Sequence, residues 1–159
     1  KTGNPPEKKY PGAKAEIAVI GHGYNIHDTF INMDLLAKLE KMEIKPVVLE
    51  NLPSWIFKGE TSINKSLKNY WGNEEKILSA LNYLFEERSV DGIIFLCSFC
   101  CGPDSLIDEI TTRNAKLTGI PYICMVIDEH AGQTGLITRI ESFVDMVVFR
   151  KTAGEKTEC

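Results

Sequence analysis

An α/β domain built on a parallel sheet is the fold class this sequence predicts. Two observations carry it: apolar runs of strand length with no polar alternate face, and amphipathic runs of helical period between them. Strands apolar on both sides belong to parallel sheets covered by helices above and below. A third observation says where a site belongs, because unusual polar segments follow three of the four runs at their carboxyl ends.

Residues 1–14, rich in Lys, Pro and Gly, read as a linker or arm. Ala15–Gly21 is the first strand. In residues 29–42, Ile31, Leu35, Leu39 and Met42 share one helical face, with Asp28 placed as the N-cap. Residues 45–52 are the second strand. Residues 53–72 are irregular and long for a connection in such a domain. They carry Trp55, Phe57, Tyr70 and Trp71, and suit a lid, a docking surface or packing on the sheet edge. Asn73 is placed to cap a helix whose apolar face is Ile77, Ala80, Leu81 and Leu84.

Gly92–Ser98 is the third strand. Pro103 suits the first turn of the next helix, where its missing N–H leaves nothing unpaired. Leu106, Ile107 and Ile110 are expected to face inward from that helix. Residues 121–127 are the fourth strand, and a last helix buries Leu136, Ile140, Phe143 and Val147. The sum is one three-layer α/β/α domain over residues 15–150, with a flavodoxin-like parallel sheet of about four strands and a tail at 151–159. Ligands of such sheets bind beyond the carboxyl ends of the strands, where strand order reverses.

A chain of 159 residues buries a core without disulfide staples. Its net charge of -4 argues against nucleic acid or an anionic membrane surface as the main partner. No apolar run approaches the roughly 20 residues of a membrane span, and no signal peptide is visible. Five cysteines in a chain that needs no staples point to a reducing cytoplasm, where clustered thiols mean metal or redox chemistry. Cys124 sits in an apolar run as a small hydrophobe, and Cys159 is the last residue.

Cys97, Cys100 and Cys101 are the informative group. Cys97 and Cys100 have C-x-x-C spacing, Cys101 adds an adjacent thiol, and the following helix offers a positive end that favours thiolate. Structural zinc normally takes four protein ligands. A cluster with three local cysteines and a fourth ligand from elsewhere suits the spacing better. The plainer alternative makes Cys97 strand core and the others incidental.

The Gly21-His22-Gly23 turn is either a tight strand-to-helix turn or a backbone cradle for an anion, with His22 and Asn25 able to face the cleft. It lacks the third glycine of the dinucleotide fingerprint and the Lys-Ser/Thr of a P-loop, so no nucleotide is expected. Glu129 and His130 follow the fourth strand as acid–base candidates or as parts of a turn. Arg139 is expected to pair with a carboxylate elsewhere or to line the cleft.

Three motifs in order carry a resemblance: Gly21-His22-Gly23-Tyr24-Asn25-Ile26, then Cys101-Gly102-Pro103-Asp104-Ser105, then the long run from Asp128-Glu129-His130 through Arg139-Ile140-Glu141-Ser142-Phe143. Together they resemble the acyl-CoA dehydratase activase-associated family, related to the 2-hydroxyacyl-CoA dehydratase subunits, over residues 15–146. The resemblance implies a cytoplasmic, anaerobe-type protein of flavodoxin-like lobes, with this chain the C-terminal lobe of a longer one. It implies an iron–sulfur cluster, of four irons and four sulfurs, that is shared with another lobe or chain. Its implied partners are ATP-dependent activase or dehydratase subunits in a homo- or hetero-oligomer, and a CoA-thioester ligand. Its implied role is anaerobic electron transfer or acyl-CoA dehydration.

Only Cys101 falls on a family position. Cys97 and Cys100 stand where members often carry other small residues, and enter as optional metal ligands. Glu129, His130 and Arg139 are the expected catalytic residues, and Gly21, His22, Gly23 and Asn25 the expected cofactor-binding ones. The ATP-driven activases themselves use an actin-like fold with glycine-rich phosphate loops that this sequence lacks, so ATPase activity does not carry over. The alternative function is a non-catalytic domain that docks to such a partner or binds a CoA-like ligand.

Overall fold

Residues 10, 12–58, 72–128 and 133–155 are described by a computed structural model. Its strands are β1 (Ala15–Gly21), β2 (Ile44–Val47), β3 (Gly92–Ser98) and β4 (Tyr122–Ile127). Its helices are α1 (Gly23–His27), α2 (Leu35–Lys41), α3 (Gly72–Glu87), α4 (Gly102–Thr118) and α5 (Gln133–Glu155). All strand pairs are parallel, in the order β2-β1-β3-β4. This is the flavodoxin-like α/β arrangement the sequence predicts. The chain leaves β1 for β2 on one side and later enters β3 on the other, so strand order reverses between β1 and β3.

Alternation along the strands divides the core into two layers. Ile17, Val19, Ile94, Leu96 and Met125 pack on one face against Leu35 and Leu39 of α2 and Ile140, Phe143 and Val147 of α5. Ala18, Ile20, Ile93, Phe95 and Cys97 pack on the other against Ile77, Leu81 and Leu84 of α3 and Ile107 and Ala115 of α4. Gly21 closes β1 where the strands approach most tightly. A Cβ there would stand 2.5 Å from the Leu96 carbonyl oxygen, so the position admits only glycine without a shift.

Several local expectations change. Asn73, placed as a helix cap, is instead the second residue of α3, which begins at Gly72. The helix expected over 29–42 begins at Leu35, because Asp28 holds a turn rather than a helix start. Its Oδ1 accepts from the Phe30 and Ile31 N–H groups at 2.9 and 3.1 Å. Met33 and Asp34 then take left-handed backbone, with φ of 54° and 62°. Buried Asn32 pins the turn, donating to the Ile26 carbonyl at 2.6 Å and accepting the Leu35 N–H at 3.2 Å. The second strand stops at Val47, because the Val48 N–H turns to the Asn51 side chain at 2.9 Å and Leu49–Asn51 form a 3-10 turn. Leu106 faces outward. The buried residues of α4 are Asp104, Ile107, Thr111 and Ala115, spaced by three or four, with Pro103 in the first turn as expected.

Of the aromatic segment, Trp55 and Phe57 lie in a 3-10 turn (Ser54–Lys58), where Trp55 meets Tyr83 of α3 edge-on at 5.6 Å. Tyr70 and Trp71 lie outside the described residues. No helix among the described residues is long and apolar enough to cross a membrane.

Candidate functional site

The turn after β1 and the turn after β3 meet at the point where strand order reverses. His22, Tyr24 and Asn25 come from the first; Ser98, Cys101 and Asp104 come from the second and from the start of α4. His22 Nε2 donates to Asp104 Oδ1 at 3.1 Å, and Asp104 Oδ2 accepts the Ser98 N–H at 3.1 Å. Asp104 is 0% exposed, so both oxygens are committed inside the protein. Asn25 Nδ2 donates to Ser98 Oγ at 3.0 Å, and the Tyr24 hydroxyl lies 3.3 Å from the same oxygen. The His22 ring stacks on Tyr24, with centroids 5.3 Å apart and planes 7° from parallel. Glu74 of α3 adds a carboxylate oxygen 3.8 Å from His22 Nε2.

Cys101 is the residue before α4 and completes the group. The ligating atoms of His22, Cys101 and Asp104 all lie within 4.8 Å of one another. Imidazole nitrogen, thiol sulfur and carboxylate oxygen therefore converge from a loop, a helix cap and a first helical turn. The helix start does not make Cys101 a ready thiolate. Burial pushes its thiol above the ordinary value; the Asp104 backbone N–H pulls the other way, and the Asp104 carboxylate adds to the rise. Desolvation and a neighbouring anion outweigh the helix end here.

The other two cysteines of the run go elsewhere. Cys97 is the next-to-last residue of β3 and only 6% exposed. Its side chain enters the core layer under α4, where the thiol donates to the Ser98 carbonyl at 3.4 Å. Burial first, then the Asp104 charge, pushes it up to about 11. Cys124, beside it on β4, is likewise pushed up to about 12, chiefly by burial. Cys100 is exposed, on left-handed backbone with φ of 62°.

His22 and Asn25 thus stand in the crevice as expected. Gly21 is there for the close approach of β1 to β3. A Cβ on Gly23 would meet nothing within 4 Å, so that glycine is not required for space. Glu129 and His130 lie outside the described residues. Arg139 reaches the outer side of β4, where Nη2 donates to the Cys124 carbonyl at 3.0 Å. Sequence reasoning passed over Asp104, Ser98, Tyr24 and Glu74. Asp104 left a signal: an acidic residue three positions after Cys101, on the same side of a helix start.

The family model described as 2-hydroxyglutaryl-CoA dehydratase, D-component, matches residues 37–147. The chain belongs to this family. The matched span includes Cys97, Cys100, Cys101, Asp104 and Arg139 and begins after the turn that carries His22 and Asn25. The relation to 2-hydroxyacyl-CoA dehydratases implied by the motifs is thereby shown. The match is to the dehydratase component and does not extend to the activase-associated group. No curated protein matches the chain.

Iron–sulfur ligation by three local thiols does not fit this member of the dehydratase family. Cys97 is a core thiol and Cys100 a surface one. Among the described residues, Cys101 shares its position with a histidine and an aspartate instead.

Proposed function

We propose that this chain is a metal-binding lobe of an acyl-CoA dehydratase-type system, holding its metal through Cys101 in the crevice between β1 and β3. One observation carries the reading: the Cys101 thiol meets His22 and Asp104 where strand order reverses, the place at which such sheets bind ligands. The lobe acts in electron transfer or acyl-CoA dehydration, with activase or dehydratase subunits as partners and a CoA thioester as ligand. An iron–sulfur cofactor in this position needs thiols from another lobe or chain beside Cys101. Glu129 and His130, which follow β4 in sequence, are the proposed acid–base residues.

The test is metal analysis of anaerobically purified protein, with Cys101→Ser alongside. The expected result is bound transition metal that the variant loses while its circular dichroism stays native. Metal-free protein, under conditions that load a control metalloprotein, sinks the reading.

A second reading, a docking domain, is favoured by four exposed aromatics in segments that follow β1, β2 and β3. They are Tyr24, Phe30, Trp55 and Phe99. Under that reading Phe30→Ala and Phe99→Ala weaken capture of a purified dehydratase partner, whereas Cys101→Ser does not.

A further inference from the structure

We propose that His22 Nε2, Cys101 Sγ and an Asp104 carboxylate oxygen hold one borderline divalent cation, of the zinc, cobalt(II) or iron(II) class. The inference rests on the reading that Cys101 is a metal ligand, and it says which kind of metal the crevice takes. The donor set is the first argument. Imidazole, thiolate and carboxylate suit a borderline ion, whereas an all-thiolate set is what a cluster selects.

Spacing is the second argument. Two ligands on a tetrahedral ion with bonds of about 2.0 Å stand about 3.3 Å apart, and His22 Nε2 stands 3.1 Å from Asp104 Oδ1. The sulfur, within 4.8 Å of both, closes on the ion by a side-chain rotation at the helix cap. Thiolate and carboxylate together neutralise a divalent charge, which lets the ion sit beside a fully buried carboxylate.

Orientation is the third. The Ser98 N–H fixes the far oxygen of Asp104, and the Tyr24 ring fixes the plane of the imidazole. Such outer contacts hold ligands in register for a metal. Three protein ligands leave a fourth position open, the pattern of a reactive rather than a purely structural ion. Glu74, with a carboxylate oxygen 3.8 Å from His22 Nε2, stands on the α3 side of the site. On binding, the neutral imidazole carries its one proton on Nδ1, and the thiol releases one proton to solvent.

Cobalt(II) titration of the metal-stripped chain, under reductant and without oxygen, tests this. One equivalent is expected to bind with a thiolate-to-cobalt charge-transfer band and the visible bands of a four-coordinate ion. His22→Gln and Cys101→Ser are each expected to weaken binding by about tenfold or more, while Cys97→Ala and Cys100→Ser leave it unchanged. Binding with no thiolate band, or no binding by folded protein, overturns both the inference and the reading of Cys101 as a ligand. A thiolate band with undiminished affinity in His22→Gln overturns the inference alone. Iron and sulfide taken up together in multi-atom ratio, dependent on Cys97 or Cys100, also overturn it. Should a variant fail to fold, the wild-type spectrum and stoichiometry decide.

Discussion

Asp104 ties the crevice together at the level of single side chains. Its carboxylate satisfies the Ser98 N–H at the end of β3 and the His22 imidazole at the end of β1, with no access to water. Asp104→Ala strands a buried N–H and frees the imidazole, so a loss of about 3 kcal/mol in urea unfolding is expected. Asp104→Asn keeps an acceptor for Ser98 and is expected to cost about half as much. The thiols give a second test at this scale. Among the thiols of the described residues, Cys100, being exposed, is expected to alkylate first at pH 8, with Cys101 slower and the raised thiols of Cys97 and Cys124 slowest, as read by mass spectrometry. Raised thiol values mean that the folded state keeps protons that the unfolded chain gives up. Their stabilisation is therefore complete below pH 9 and lost as pH rises toward about 11 for Cys97. Across that window one thiol lowers the unfolding free energy by about 1.4 kcal/mol per pH unit. Cys97→Ala should flatten the slope. Sequence spacing made Cys97 look like half of a C-x-x-C ligand pair. The strand continues through it to Ser98, however, and alternation along β3 then turns its side chain into the core. The boundary at Ser98, already legible in the apolar run, decides for the core reading.

At the level of elements, strands were easier to read than the junctions between them. β3 and β4 follow from uncharged apolar runs that no helix period explains, and β1 from one broken only by Glu16 near its start. The start of α2 does not follow, because Asp28 looks like a helix cap in sequence and instead caps a turn. What delays the helix is Asn32, whose amide bridges the Ile26 carbonyl and the Leu35 N–H. Asn32→Ala removes both buried bonds and is expected to cost about 2 kcal/mol, measured by chemical unfolding. Gly21 and Gly23 look alike in the Gly-His-Gly turn, yet only one is fixed by contact with a neighbour. Gly21→Ala drives a Cβ into the Leu96 carbonyl, and an overpacking cost of about 1–3 kcal/mol is expected. Gly23→Ala meets open space and is expected to be neutral or to stabilise by up to about 1 kcal/mol. Loss of stability from both changes alike would show that the turn is tight throughout.

The sheet as a whole explains why the crevice forms where it does and where it does not. Reversal of strand order between β1 and β3 brings the two motif-bearing turns together, so the meeting of His22 with Cys101 follows from topology and could be anticipated from the strand ends. Arg139 belongs to a motif of the same resemblance, yet topology carries it to a different place. β4 is the open edge of the described sheet, and its Ile127 carbonyl faces inward to the Phe99 N–H. Alternation then turns the Cys124 carbonyl outward, where the Arg139 guanidinium covers it. A charged side chain that covers an edge strand's outward carbonyl discourages pairing with another chain. Arg139→Ala is therefore expected to cost under about 1 kcal/mol in stability, leave cobalt affinity unchanged, and raise self-association in sedimentation velocity. A variant whose self-association is unchanged but which loses metal affinity would put Arg139 in the site, as its sequence position alone suggests. The two roles make opposite demands on one substitution, so a single protein preparation separates them.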